Sequence, residues 1–366
     1  MEAGSFYPTN FILFPAALFS LLESPGTLCY SYFIKIVQKG SSAMKHQTIY
    51  LREGRTDVTL TTYVLEDSPE MLGGKRRPAV IVCPGGAYLS CSDREGEPIA
   101  MAFANMGYHA FVLRYGVYQE GLPGMFMPEP GTEVPMKEHC VHPNPIRDIA
   151  RAMLELRAHA DEWLVDIDRV AICGFSAGAH NCAMYATNWH KPVISEYFER
   201  PAEEFRPAAC ILGYTLSDYI YMKSAAGQSA DPMAAGLFSV SNTALLGTAL
   251  PSDDQLVEVS PARSVTEHCP PVFLWATSED SLVPVQHTLL MAKALADGKI
   301  PFEVHVFENG PHGLATATQS SAAALSNIFP DVATWLPMCD TWLKKRFALD
   351  LPKLTVWERM MSGEIM

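Results

Sequence analysis

One serine in this chain sits where a nucleophile can be made. The stretch Arg169-Val-Ala-Ile-Cys-Gly-Phe-Ser-Ala-Gly-Ala-His180 runs from an apolar segment ending at Gly174, through Ser176 and Gly178, into helix-forming residues (Asn181, Cys182, Ala183, Met184). This is G-x-S-x-G between a strand and a helix, the setting that holds a serine in strained backbone and exposes its Oγ at the strand end. The glycines are needed because the turn is too tight for neighbouring Cβ atoms. The helix that follows aims its first amides at negative charge developing on a bound carbonyl. A serine hydroxyl alone is a weak nucleophile, so it needs a base, and the base needs a carboxylate to orient it.

Both partners are present downstream. The segment Pro270-Pro-Val-Phe-Leu-Trp-Ala-Thr-Ser-Glu-Asp-Ser-Leu-Val-Pro284 is a buried-strand pattern that delivers Glu279 and Asp280 on a loop. Either carboxylate can serve; Asp280 is favoured because it stands three residues before Val283-Pro284, where the next helix begins. The segment Phe302-Glu-Val-His-Val-Phe-Glu-Asn-Gly-Pro-His-Gly-Leu314 then hangs His312 on a loop of Gly310, Pro311 and Gly313, at the carboxyl edge of the sheet where a base reaches the serine. His305 falls mid-strand and reads as structural. An oxyanion needs two backbone donors. Ala177, directly after the serine, supplies one, and the loop Cys83-Pro-Gly-Gly-Ala-Tyr88 supplies the amides of Gly86 and Ala87, with Tyr88 expected to border the substrate pocket.

These loops need a scaffold, and the hydropathy pattern provides one. Candidate strands are Gln47–Leu51, Asp57–Leu65, Ala79–Cys83, His109–Arg114, Val170–Gly174, Ala208–Gly213, Val272–Ala276 and Phe302–Phe307. Asp57–Leu65 alternates, as a half-buried antiparallel strand does, whereas those from Ala79 onward are short continuous apolar runs suited to strands buried on both faces. Helical periodicity fills the gaps at Glu95–Met106, Pro145–Ala160, Val285–Leu295 and Val332–Phe347. Strands alternating with helices predict an α/β fold: an eight-stranded, mostly parallel sheet flanked by helices on both faces. Two segments, Gln119–Pro145 and Ser224–Thr248, break the rhythm and read as irregular covers for the site; no large cap domain is expected.

Composition narrows the function classes. The chain has 366 residues, 48% apolar and 18% charged, enough for a substantial core. Its 27 Lys plus Arg against 40 Asp plus Glu give a net charge of −13, which disfavours nucleic acid and anionic membranes as partners. Nine cysteines without a CxxC pair read as reduced thiols and a cytoplasmic location. His139-Cys140-x-His142 has metal-ligand types but no fourth ligand at zinc spacing, so no metal site is expected there. Phe11–Leu22 is too short an apolar run to span a bilayer, Pro15 and Pro25 interrupt it, and no Lys or Arg precedes Lys35. Residues 1–43 are therefore expected to be a poorly ordered N-terminal extension or a mis-called start, residues 44–350 the catalytic domain, and residues 351–366 a C-terminal tail.

Together these residues resemble the α/β-hydrolase superfamily, and most of all its esterase group of acetylesterases, acetyl-xylan-type and feruloyl-type carbohydrate esterases and hormone-sensitive-lipase relatives. The resemblance spans Gln47 to Phe347 and rests on Gly174–His180, Pro84–Tyr88, Asp280 before Val283-Pro284, and Pro311-His312-Gly313. It implies Ser176 as nucleophile, Asp280 as acid, His312 as base, and Gly86, Ala87 and Ala177 as oxyanion donors. One departure stands out: many relatives have His-Gly-Gly-Gly where this chain has Pro84-Gly-Gly-Ala87, and Pro84 cannot make the loop-bracing hydrogen bonds of that histidine. The implied activity is hydrolysis of short-chain esters, O-acetyl groups on a sugar or oligosaccharide above all, through an acyl-enzyme and without metal or organic cofactor. The implied partner is a small-molecule or oligosaccharide ester; a homo-oligomer is compatible with this. A serine peptidase of the same fold usually carries an N-terminal propeller, which 43 residues cannot form. A non-catalytic binding protein of this fold should lack one of the three residues, and none is missing.

Overall fold

A computed structural model describes residues 44–122, 134–228 and 232–364. The expected N-terminal extension and the middle of the Gln119–Pro145 segment lie outside the described residues. Every one of the eight candidate segments forms a strand: β1 (Thr48–Tyr50), β2 (Thr59–Tyr63), β3 (Arg77–Cys83), β4 (His109–Arg114), β5 (Val165–Phe175), β6 (Ala209–Gly213), β7 (Val272–Thr277) and β8 (Phe302–Phe307). They make one sheet in the order β1-β2-β4-β3-β5-β6-β7-β8. The pairs β1–β2 and β2–β4 are antiparallel. All pairs from β4 to β8 are parallel.

The parallel strands are covered on both faces, and their side chains alternate accordingly. On β3, Ile81 and Cys83 join the core on one face while Val80 and Val82 join the core on the other. The second face is covered by α1 (Glu97–Asn105), through Ile99 and Phe103. The first face is covered by α2 (Asn144–Ala158), through Ile149 and Met153, and by α3 (Ala177–Asn188), through Ala179 and Cys182. Because every parallel strand runs the same way, their carboxyl ends and the loops they feed collect along one edge.

The Ser224–Thr248 segment differs from expectation. It contributes to two helices, α4 (Tyr219–Gln228) and α5 (Pro232–Leu246). Residues Val240 to Leu245 are all buried, polar Ser241, Asn242 and Thr243 included. A helical stretch covered all round has no solvated face, so it lacks the periodicity that marks an amphipathic one. Further along lie α6 (Gln286–Asp297) and α7 (Trp335–Phe347). Trp335 and Trp342 of α7 are fully buried, and the Trp335 ring stacks on Trp275 of β7 at 5.0 Å. The expected tail carries a short helix, Val356–Met361, with a capping box between Thr355 and Glu358. Among the described residues, no helix is long and apolar enough to cross a membrane.

Candidate active site

Ser176 closes the turn from β5 to α3 with φ 52° and ψ −121°. A left-handed φ on a serine is strained backbone, sustained here by its neighbours. The Ser176 amide donates to the Gly213 carbonyl at 3.0 Å. A Cβ on Gly178 would meet the carbonyl oxygens of Cys83 and Pro84, and one on Gly174 would meet the backbone of Gly178. Glycine at both positions lets the first turn of α3 press against the end of β3.

The loops after β7 and β8 complete a chain of hydrogen bonds. His312 Nε2 lies 2.8 Å from Ser176 Oγ, and His312 Nδ1 lies 2.6 Å from Asp280 Oδ2. Asp280 is 5% exposed, and its Oδ1 accepts the amides of Leu282 and Val283 at 3.0 and 2.8 Å. With the carboxylate accepting on both oxygens, Nδ1 carries the imidazole proton and Nε2 is left bare toward the serine hydroxyl. Glu279, the other carboxylate in the loop, is exposed and accepts the Gly310 amide at 3.0 Å, away from the imidazole. Thr277 Oγ1 also donates to the Gly310 carbonyl at 2.6 Å, so the end of β7 fixes the root of the histidine loop. His305 lies on β8 and contacts Glu303 at 3.1 Å.

On the other side of Ser176, the loop after β3 turns back on itself. Gly86 (φ 131°), Ala87 (φ 55°) and Tyr88 (φ 59°) all have positive φ, and the Gly86 carbonyl accepts the amides of Leu89 and Ser90. Ala87 and Ala177 line the recess over Ser176, and their amides have no protein acceptor among the described residues. Gly86 makes the turn, and its amide likewise has no protein acceptor among the described residues. Tyr88 corrects an expectation. Instead of bordering the pocket it is 1% exposed, because the left-handed backbone at 87 and 88 sends its ring into the core. Its hydroxyl meets His180 Nδ1 at 2.5 Å, and His180 Nε2 donates to the Val259 carbonyl at 2.7 Å. Burial pushes His180 down to about 3, so the imidazole stays neutral and accepts from the phenol.

Two further residues hold this loop, and the sequence did not single them out. Glu95, 4% exposed, accepts the Gly85 amide on Oε2 at 2.7 Å and the Tyr214 hydroxyl on Oε1 at 2.6 Å. Glu95 thus braces the loop that Pro84 cannot. Its one local signal is spacing: it opens the expected Glu95–Met106 helix, whose N-terminal end faces the β3 loop.

The recess itself is small, about 50 Å³, and mostly apolar. Leu216, Tyr219 and Met222 line it from the β6 side, Leu237, Phe238 and Ser241 from α5, and Leu282 and Val283 from the acid loop. The helices that replace the expected irregular segment therefore form its wall. His139 Nε2 lies 3.1 Å from the Val117 carbonyl, Cys140 Sγ contacts the Lys137 carbonyl, and the His142 amide donates to Leu245. Among the described residues, no three His, Cys, Asp or Glu side chains are placed to hold a metal ion.

Comparison with known proteins follows the same lines. A family model described as BD-FAE matches residues 134–295. Endo-1,4-beta-xylanase B of Butyrivibrio fibrisolvens is 35% identical over 247 residues, 66% of this chain and 33% of that protein. The chain spans a third to a half of the length of the curated relatives it matches. An α/β-hydrolase enzyme from a Medee basin deep-sea metagenome library superposes with a TM-score of 0.61 at 30% identity, covering 84% of this chain and 99% of that one. An acetyl ester-xyloside bifunctional hydrolase from Caldicellulosiruptor lactoaceticus superposes with a TM-score of 0.62 at 28% identity, covering 84% and 98%.

Proposed function

The chain belongs to the α/β-hydrolase superfamily, and on that premise we propose that it is a serine carboxylic-ester hydrolase acting on short-chain esters, O-acetyl groups on a sugar or oligosaccharide in particular. The observation that carries this reading is the unbroken hydrogen-bond chain from Ser176 through His312 to Asp280. Ser176 Oγ attacks the ester carbonyl as His312 Nε2 takes its proton. Asp280 holds the imidazole tautomer and stabilises the imidazolium that forms. The amides of Gly86, Ala87 and Ala177 stabilise the oxyanion, and one such donor is worth about 3–4 kcal/mol. The protonated His312 then donates to the departing alcohol. Water, activated by the same imidazole, cleaves the acyl-enzyme and restores the serine.

Two observations favour a small acyl group. The recess over Ser176 measures about 50 Å³, against the roughly 10–15 Å³ that a single water requires. Its walls are apolar side chains that suit a methyl or ethyl group. A glycoside hydrolase would need two carboxyl groups facing each other across the substrate. The described residues lining this recess include no carboxylate, so the similarity to a xylanase is read as similarity to a part that cleaves esters. The acetyl ester-xyloside hydrolase supports a sugar-borne acetyl substrate. The eight cysteines among the described residues are free thiols, in keeping with a reducing, cytoplasmic setting.

The test is a panel of p-nitrophenyl esters from acetate to octanoate with acetylated xylo-oligosaccharides, run on wild type and Ser176→Ala. Wild type should favour acetate, with kcat/KM falling about 10-fold or more by octanoate, and Ser176→Ala should lose about 10⁴- to 10⁶-fold in kcat. Preference for octanoate would overturn the short-chain assignment, and wild-type rates in Ser176→Ala would overturn the mechanism.

A further inference from the structure

Glu95 is a buried carboxylate with no ion-pair partner among the described residues, and its two oxygens serve two different loops. Oε2 takes the amide of Gly85, which precedes the residues that shape and supply the oxyanion amides. Oε1 takes the hydroxyl of Tyr214, whose oxygen in turn accepts the Ala315 amide at 3.1 Å, three residues beyond His312. The directions are forced. A backbone N–H can only donate, so Ala315 fills the acceptor side of the phenol and the phenolic proton is left for Glu95. The Tyr214 ring also lies edge-on to the His312 ring, centroids 4.9 Å apart at 70°. Its chain neighbour Gly213 accepts the Ser176 amide.

We propose that Glu95 and Tyr214 are a positioning pair that sets the distance between the oxyanion amides and the His312 loop around Ser176. This rests on the Ser176 ester-hydrolase reading above. Oxyanion donors act only if aimed at the place where charge develops, and a misplacement of about 1 Å can cost about 100-fold. A carboxylate buried without an ion pair is expensive unless its hydrogen bonds are satisfied, so one link cannot be cut without disturbing the other. Glu95 touches none of the reacting atoms and acts through the loops it holds; Tyr214 acts through the Ala315 amide and by packing its ring edge-on against the His312 ring.

Glu95→Gln tests this with almost no change of volume. The new amide group must face either the Gly85 N–H or the Tyr214 hydroxyl, so one link is lost. Steady-state rates on p-nitrophenyl acetate are measured per active site, with sites counted by an irreversible fluorophosphonate. Glu95→Gln should lower kcat per titrated site about 10- to 100-fold with KM changed less than about 3-fold. Tyr214→Phe should lose about 3- to 10-fold, and the double variant should be no worse than Glu95→Gln alone, because both cut one network. Wild-type kcat per titrated site in Glu95→Gln, or losses that multiply in the double variant, would overturn the pairing. If Glu95→Gln does not fold, Tyr214→Phe decides, and an unchanged kcat per titrated site in it overturns the proposal. Ser176→Ala, run alongside, separates the two levels: activity surviving there removes the ester-hydrolase reading, whereas an inactive Ser176→Ala beside a fully active Glu95→Gln removes only the positioning pair.

Discussion

Two buried carboxylates stand behind Ser176, and they sit in different company. Asp280, 5% exposed, meets an imidazole and two amides of its own loop. Glu95, 4% exposed, meets an amide and a phenol drawn from two other loops. Asp280 is placed to hold and stabilise the imidazole that takes the serine proton in the proposed reaction. Glu95 is placed to act only on backbone geometry. Burial and hydrogen bonding alone therefore do not identify a carboxylate that supports proton transfer; what its partner can itself do is the deciding feature.

The contrast can be broken most forcefully at Asp280. Asp280→Asn should reduce kcat on p-nitrophenyl acetate by about 10³- to 10⁴-fold with little change in KM, because the amide favours the wrong imidazole tautomer. A loss below about 10-fold would place Asp280 with Glu95, as a group that only positions. At two buried histidines the expected liability is to acid. Burial pushes His180 down to about 3 and His287 down to about 4, both below the free imidazole value of about 6.5. Their stabilising contribution is complete above about pH 6.5 and is lost as pH falls toward the folded values, since the unfolded chain binds protons that the folded one refuses. Denaturant titration at pH 7, 6 and 5 should show about 1.4 kcal/mol of stability lost per pH unit for each such histidine once pH is well below 6.5. His180→Gln should remove one of these contributions, and an unchanged slope would mean that the imidazole ionises within the fold. The smallest effect is expected at Glu279. Glu279→Gln should stay within about 3-fold of wild-type kcat/KM, because its carboxylate braces an exposed loop amide. A loss as large as that of Asp280→Asn would reverse the assignment of the two neighbours.

Much of the scaffold was legible because it is written locally. A strand buried on both faces must be a continuous apolar run, and the bounds of β4 and β8 match the patterned segments His109–Arg114 and Phe302–Phe307. Ser176 and His312 were legible because each stands on a glycine-flanked loop directly after such a run. The α4–α5 segment was not, because Val240 to Leu245 are buried all round and leave no periodic trace. Tyr88 was misread because its direction follows from two successive left-handed residues, and an alanine and a tyrosine do not announce that conformation. Glu95 was hidden by its neighbours. It stands among charged residues in Asp93-Arg94-Glu95-Gly96-Glu97, yet Asp93 pairs with Arg114 at the surface while Glu95, two residues on, is sealed inside.

The amino-acid order alone determined which chemical groups are available, on which strand ends they stand, and in what succession they come, because a serine turn, a carboxylate loop and a histidine loop are each encoded within about a dozen residues. Only the folded chain decided which of two adjacent carboxylates faces the imidazole, where Tyr88 points, and what replaces the missing brace at Pro84. Those outcomes depend on hydrogen bonds between segments far apart in the chain, formed where water is excluded, and an unmet polar group there costs too much to leave the choice open.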